Sequence, residues 1–479
     1  LLNDTFLEIA SWPIEAREES GSDYFFHFND VSFIEKGIKN YVIGRKGTGK
    51  TAIADYLHSR RSYNKFSRLL SFKNFPFNAL YSFADESYNR PNQYITIWTY
   101  VIYHYICSMM AENEKVLSRC KFDLKEAFQF EVKGALSQSV KNITSRNYGL
   151  TILGTGVNFA EETGEDQFDF IRANEALKGF IEEHIDDSDY FIIFDELDED
   201  YRDILSPDRK DGYFELLISL FKAVQNIRAE FSGSHAKIRP VIFLRDDIFD
   251  LCRDVDKNKW LDRAVTLKWD ESQLRQMTKY RLSQALYRTG SPVEPDEAWD
   301  AVFSVNKTRF GTSGKNSSDT FRFILGRTFL RPRDVVSYIR ECAKIGMSLD
   351  GSRRISNQVI KGAIEGHSSY MRREIIDEVF PVMEDISETL DVLAKIRKQV
   401  FSRKEFNDRY REYQNQLPDQ DRSKISESQV LKILYHFNVI GNVTSGGHRI
   451  FAYNSQVKVL NMDESLCVHG GLIRSLGIS

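Results

Sequence analysis

Gly44-Arg45-Lys46-Gly47-Thr48-Gly49-Lys50-Thr51 is a full G-x-x-x-x-G-K-[ST] pattern between the apolar run Tyr41-Val42-Ile43 and the helix-compatible stretch Ala52-Ile53-Ala54-Asp55-Tyr56-Leu57. These residue types at this spacing suit the cradling of a phosphate chain. The glycines let the loop curl until successive backbone N–H groups converge on one anion, and the helix that starts there adds its positive dipole end. Lys50 can then reach the β- and γ-phosphates, and the Thr51 hydroxyl can ligate Mg2+. The expected nucleotide-contacting set is therefore Gly44, Arg45, Lys46, Gly47, Thr48, Gly49, Lys50, Thr51 and Ala52. A rival pattern, G-x-G-x-x-[GA] over Gly47 to Ala52, would mark a dinucleotide site, but it requires an acidic residue at the end of the next strand. The next strand candidate, Ser67-Arg68-Leu69-Leu70-Ser71-Phe72-Lys73, ends in lysine and asparagine instead. No N-K-x-D occurs, so guanine selectivity is unsupported and ATP is the default ligand.

Hydrolysis needs a carboxylate near the metal, carried by a neighbouring strand. Tyr190-Phe191-Ile192-Ile193-Phe194-Asp195-Glu196 has that form: an apolar run reads as a strand buried on both faces of a parallel sheet, whose carboxyl end is where ligands bind. Asp195 is the candidate Mg2+ ligand with Thr51, and Glu196 the candidate for orienting or deprotonating the attacking water. The alternative is that the acidic run Asp195-Glu196-Leu197-Asp198-Glu199-Asp200 is a solvated loop. A third strand candidate, Pro240-Val241-Ile242-Phe243-Leu244-Arg245, ends in a guanidinium that either reads the γ-phosphate or pairs with Asp246 or Asp247. Leu330-Arg331-Pro332-Arg333-Asp334 opens a helix, with Pro332 suited to the first turn. Arg333 is the candidate lid arginine over the nucleotide; pairing with Asp334 is its structural alternative.

These motifs, followed by a winged-helix-like tail, resemble the AAA+/STAND side of the P-loop ATPases and the origin-recognition class of replication initiators. More particularly, Gly44 to Thr51, Phe243-Leu244-Arg245-Asp246-Asp247 and Leu330-Arg331-Pro332-Arg333-Asp334 resemble a bacterial P-loop ATPase family found in anti-phage defence loci. The resemblance, from about residue 20 onward, implies that Lys50, Thr51, Asp195 and Glu196 serve nucleotide, metal and water, and that Arg245 and Arg333 sense the nucleotide state. Two departures stand out: Arg245 occupies a position where a small polar sensor is commoner, and no arginine finger is identified.

The elements that must position these residues follow from the rest of the chain. Its 479 residues allow about three domains, and 42% hydrophobic with 28% charged residues is ordinary globular composition. A formal net charge of -4 gives no global drive toward nucleic acid or an acidic membrane. The five cysteines are widely separated and contain no C-x-x-C pair, which argues against a disulfide framework or structural zinc and fits a reducing cytoplasm. The start, Leu1-Leu2-Asn3-Asp4, lacks the basic and apolar regions of a signal peptide and reads as a trimmed sequence. Residues 91–111 contain no Asp, Glu, Lys or Arg, but their polar residues and tyrosines favour a buried helix over a membrane span.

The expected class is α/β: a P-loop NTPase parallel sheet core with a helical lid and a C-terminal winged-helix domain. Residues 1–38 form a lead-in covering the sheet through Phe25, Phe26, Phe28, Val31 and Phe33; residues 39–270 form the core, 271–380 the lid and 381–479 the tail. A β-hairpin insertion is expected over 148–159, a helix over 213–231, a capping box at Asp270 to Gln273, and a loop over 310–318. In the tail, capping boxes at Ser402-Arg403-Lys404-Glu405 and Ser426-Glu427-Ser428-Gln429 open two helices before a hairpin with strands over 439–443 and 449–453. If the tail binds DNA, the second helix enters the major groove with Lys432, His448 and Arg449 in contact. Residues 370–479 balance basic against acidic side chains, which suits a protein-contact role equally. Ser445-Gly446-Gly447-His448-Arg449 lies downstream of the carboxylate strand, the wrong order for an ABC signature. The expected partners are a homo-oligomer or an effector protein, with DNA through the tail and no membrane. The functional expectation is a Mg2+-dependent ATPase coupled to conformational change or assembly; the alternatives are a non-catalytic ATP-gated scaffold and a DNA-binding regulator whose P-loop is incidental.

Overall fold

A computed structural model describes residues 2–19, 24–60, 62–72, 94–118, 170–198, 207–310, 316–349, 354–418, 420, 422–423, 425–455 and 459–478. The expected hairpin over 148–159 lies outside the described residues. The chain divides into two compact units: His27–Arg45 with Gly49–Leu267, and Leu1–Phe26 with Lys46–Thr48 and Lys268–Ser479.

The first unit is an α/β layer. Its strands are β1 (Tyr41–Gly44), β2 (Lys65–Ser71), β3 (Asp189–Asp195), β4 (Lys237–Leu244) and β5 (Ala264–Leu267), in the order β2-β3-β4-β1-β5. Every pairing is parallel. The apolar runs explain this arrangement: β1 is buried throughout and β3 over all but its first residue, as central parallel strands must be. The Asp195 strand does not adjoin the P-loop strand as expected from the sequence, because β4 lies between them. The two carriers of the expected site are therefore two strand spacings apart, about 10 Å, and long side chains must close the gap. Register does the rest: Ile43 lies opposite Leu244, Phe194 opposite Ile242 and Ser71 opposite Asp195, so the chemistry-bearing strand ends share the sheet's carboxyl edge.

Ile95–Met110 is a helix with thirteen of its sixteen residues buried, packed on β2, β3 and the helices Phe170–His184 and Pro207–Glu230. That burial accounts for the uncharged stretch, and no described helix is long and apolar enough to cross a membrane. The helix expected over 213–231 begins at Pro207, with Leu216, Leu217, Leu220, Phe221, Val224 and Ile227 in the core as its period requires.

In the second unit, helix Leu2–Ser11 packs on Glu271–Arg288 and Pro332–Ser348. The lead-in is thus not one covering segment. Phe26 rests against Tyr280 in this unit, whereas Val31 is buried in the sheet unit and Phe33 is 44% exposed. The capping box at Asp270 and Gln273 forms as its spacing requires. Where a loop was expected over 310–318, β6 (Lys307–Phe310) and β7 (Asn316–Asp319) pair antiparallel. Both tail capping boxes form, and helices Arg403–Gln416 and Glu427–His436 precede the hairpin in the expected order. That hairpin, β9 (Ile440–Val443) with the short β10 (Arg449–Ile450), joins a four-stranded sheet, β10-β9-β11-β8, through β8 (Val400–Phe401) and β11 (Ser465–Val468). Phe329, Tyr370, Met371, Ile375 and Val379 share the tail's apolar core, so its packing begins well before residue 381.

Candidate nucleotide site

Gly44 closes β1, and the chain then turns through Gly47 and Gly49 at φ 79 and 95, a left-handed region that a side chain strains. Helix Lys50–Ser59 starts directly after Gly49 without a side-chain cap. Its first-turn N–H groups, with Thr51 and Ala52 among them, have no intrahelical acceptor and form the donor end of the helix dipole. Lys50 Nζ donates to the carbonyls of Gly44 at 2.9 Å and Arg45 at 3.1 Å. Desolvation lowers the pKa of this ammonium, against the opposing pull of Asp198 and Asp195.

At the end of β3, Asp195 is 2% exposed and accepts a hydrogen bond from the Thr51 side chain. Burial pushes its carboxyl up to about 6, although the Glu196 backbone N–H, Thr51 and Lys50 all favour the charged form. The structure therefore brings Lys50, Thr51 and Asp195 together across the end of β4. Glu196 follows at φ 58, an unusual backbone for a residue with a side chain, and its carboxylate accepts from Ser71 Oγ at the end of β2. Sequence reasoning missed Ser71. Its signal was present, a hydroxyl at the carboxyl end of the strand, but only the register with Asp195 shows its target.

Arg245 takes the ion-pair alternative. Its Nε and Nη2 donate to the two Asp247 oxygens at 3.0 and 2.6 Å, and Nη1 lies 3.5 Å from Asp198. It remains electrostatically coupled to Lys50, so it belongs to the same edge while being held by carboxylates.

The loop tip, Lys46–Thr48, clusters with the helical unit. Arg331 Nη1 donates to the Lys46 carbonyl at 3.1 Å, the Arg333 backbone N–H approaches the Gly47 carbonyl at 3.4 Å, and Trp269 Nε1 donates to the Thr48 carbonyl at 2.9 Å. A Cβ added at Gly47 would lie 3.2 Å from Arg333 Cβ, a contact that Arg333 could relieve by giving a few tenths of an ångström, and 3.6 Å from Arg331 Cδ, so the positive φ is the stronger demand for glycine here. The alternative of an Arg333–Asp334 pair is corrected. Arg333 pairs with Glu374 at 3.2 Å and Glu15 at 2.9 Å, and Glu374 also lies 3.6 Å from Lys46 Nζ. Asp334 instead pairs with Arg331, three residues before it, and Arg331 is also 3.0 Å from Glu378. Arg331 and Trp269 are the further residues that sequence reasoning did not single out; the i, i+3 spacing of Arg331 and Asp334 was the available signal.

The donor set fits Mg2+. Thr51 hydroxyl and Asp195 carboxylate are hard oxygen ligands already in contact with each other, and Mg2+ in phosphate sites takes only one or two protein oxygens, with water and phosphate supplying the rest. Among the described residues no group of three or more His, Cys, Asp or Glu side chains is placed to hold a metal ion.

Residues 272–376 match the family model of the FunZ-associated C-terminal helical domain. This span runs from helix Glu271–Arg288 to helix Asn357–Val379 and includes Arg331, Arg333 and Glu374. The chain is 25% identical over 331 residues to the putative transposon gamma-delta 80.3 kDa protein of Escherichia coli K12, a match covering 65% of this chain and 43% of that protein. It therefore spans less than half the length of that relative. Among solved structures, a Walker-type ATPase of Pyrococcus abyssi aligns with 94% of this chain and 95% of its own, at 12% identity and a TM-score of 0.38.

Proposed function

We propose that this chain is a Mg2+-dependent ATP hydrolase. The observation that carries the reading is the convergence of Lys50, Thr51 and Asp195 at the carboxyl edge of a parallel sheet, beside a glycine loop that leads into a helix N-terminus. In this reading the loop N–H groups hold the phosphates, and Lys50 leaves the carbonyls of Gly44 and Arg45 to meet the β- and γ-oxygens. Bound Mg2+, held by Thr51 and Asp195, would supply charge neutralisation on the phosphoryl oxygens. Glu196, oriented by Ser71, aligns a water against the γ-phosphorus and takes its proton as the bond to the ADP oxygen breaks. Arg245 and Arg333 act as nucleotide-state sensors by exchanging their carboxylate partners for phosphate.

Hydrolysis would then drive a conformational change or an assembly in bacterial anti-phage defence, in the cytoplasm, as a homo-oligomer or with an effector protein. The tail would contact DNA as a winged helix, for which the exposed Lys432, His448 and Arg449 are the candidates. One observation favours a second reading, a non-catalytic ATP-gated scaffold: Arg245 and Arg333 are both already engaged by carboxylates. Steady-state phosphate release separates the two. Under the first, Lys50→Ala and Glu196→Gln each lower turnover by about 10²-fold or more; turnover equal to wild type in both variants refutes hydrolysis at this site.

A further inference from the structure

Every backbone carbonyl from Gly44 to Gly49 has a donor. Lys50 takes the first two, Arg331, Arg333 N–H and Trp269 approach the next three in turn, and Ile53 N–H takes the last. A trans peptide points its C=O and the following N–H in opposite directions. Donors that hold the carbonyls of Lys46, Gly47 and Thr48 therefore also fix where the N–H groups of Gly47, Thr48 and Gly49 point, each away from the donor that holds its peptide.

We propose that Trp269 and Arg331 are positioning residues that pre-set the phosphate cradle by fixing these carbonyls; this rests on the P-loop being the nucleotide site. Neither residue brings charge to the phosphates. Arg331 is fully buried, and the carboxylates of Asp334 and Glu378 more than offset its single charge, so what it offers the loop is a fixed N–H. Trp269 has only an N–H to give, and its ring is anchored against the apolar core of the helical unit. Gly47 records how closely the loop is held, because the Arg333 and Arg331 side chains pass within van der Waals distance of where its Cβ would be. A loop without these donors would have to order three peptide planes when nucleotide binds, and that ordering would subtract from affinity.

The test is calorimetric titration of MgATP and MgADP into the full chain and its Trp269→Phe variant, which removes the N–H and keeps an aromatic ring. The expected result is a Kd raised about 3- to 10-fold for both nucleotides. KM should rise by a similar factor, kcat should change less, and the nucleotide-free melting midpoint should stay within about 3 °C of wild type. Arg331→Lys, which keeps a cation between Asp334 and Glu378 while losing the guanidinium fork, should shift Kd in the same direction. Wild-type affinity in Trp269→Phe overturns the proposal, as does an affinity loss that appears only with a collapsed melting midpoint. A wild-type chain that binds neither nucleotide instead overturns the reading of the P-loop on which the proposal rests.

Discussion

Two buried charge clusters in this chain behave in opposite ways. At the sheet edge, desolvation dominates: Lys50 is pushed down and Asp195 up to about 6, each toward its neutral form. In the helical unit, Arg331 is just as deeply buried, yet Asp334 and Glu378 outweigh desolvation and raise its pKa. The second cluster is complete in itself, a cation between two carboxylates. The first gains from a polyanion and a dication, which would stabilise the charged forms of both groups. Direction of shift, more than burial, separates a cluster suited to a ligand from one that holds the fold.

The largest effect should come from emptying the complete cluster. Arg331→Met leaves Asp334 and Glu378 buried without their cation and should lower unfolding free energy by about 3–5 kcal/mol in chemical denaturation. Asp195→Asn is the counterpart. The raised pKa means that the ionised Asp195 costs stability above pH 6, so at pH 7 the amide should leave stability equal or up to about 3 kcal/mol higher while abolishing turnover. A stability loss in Asp195→Asn matching that of Arg331→Met would erase the distinction.

His367 extends the contrast to pH. Burial lowers its pKa to about 4, its Nε2–H donates to the Arg327 carbonyl at 2.9 Å, and Nδ1 has no hydrogen-bond partner, so a second ring proton would be unsatisfied. Above pH 6.5 the imidazole is neutral in both folded and unfolded chains. Between 6.5 and about 4 the unfolded chain binds a proton that the folded one refuses. Stability should therefore fall as pH falls through that window, by as much as about 3 kcal/mol, and His367→Gln should remove that part of the slope. Identical pH profiles for the two proteins would exclude the histidine as the cause. The change expected in Trp269→Phe, a few-fold in nucleotide affinity, is the smallest of the set.

The parts of the fold legible in the sequence were those written in strong local signals. Tyr41-Val42-Ile43, Tyr190 to Phe194 and Val241 to Leu244 are apolar runs that read as buried strands, and the capping boxes at Asp270, Ser402 and Ser426 marked three helix starts. Strand order was not legible, because nothing local tells Asp195 that β4 will lie between it and β1. The two-residue strand β8 and the polar β7 are too short or too hydrophilic to show a period of two. In the site, the phosphate loop and its carboxylate were visible from residue type and spacing. The partners that aim them were not: Ser71 meets Glu196 across 125 residues, and Arg331 meets the Lys46 carbonyl across 285. Arg333 lies inside the helix, whereas Arg331, just before Pro332, is the one the core encloses.

Whether Lys50, Thr51 and Asp195 form one Mg-nucleotide site is decided by calorimetric titration of ATP with Mg2+ and with EDTA. A single site should bind ATP and weaken about tenfold or more when Mg2+ is removed, with a similar loss in Mg2+ for Thr51→Ala, which deletes the hydroxyl bonded to Asp195. Absence of ATP binding, or binding indifferent to both magnesium and the Thr51 hydroxyl, would contradict it.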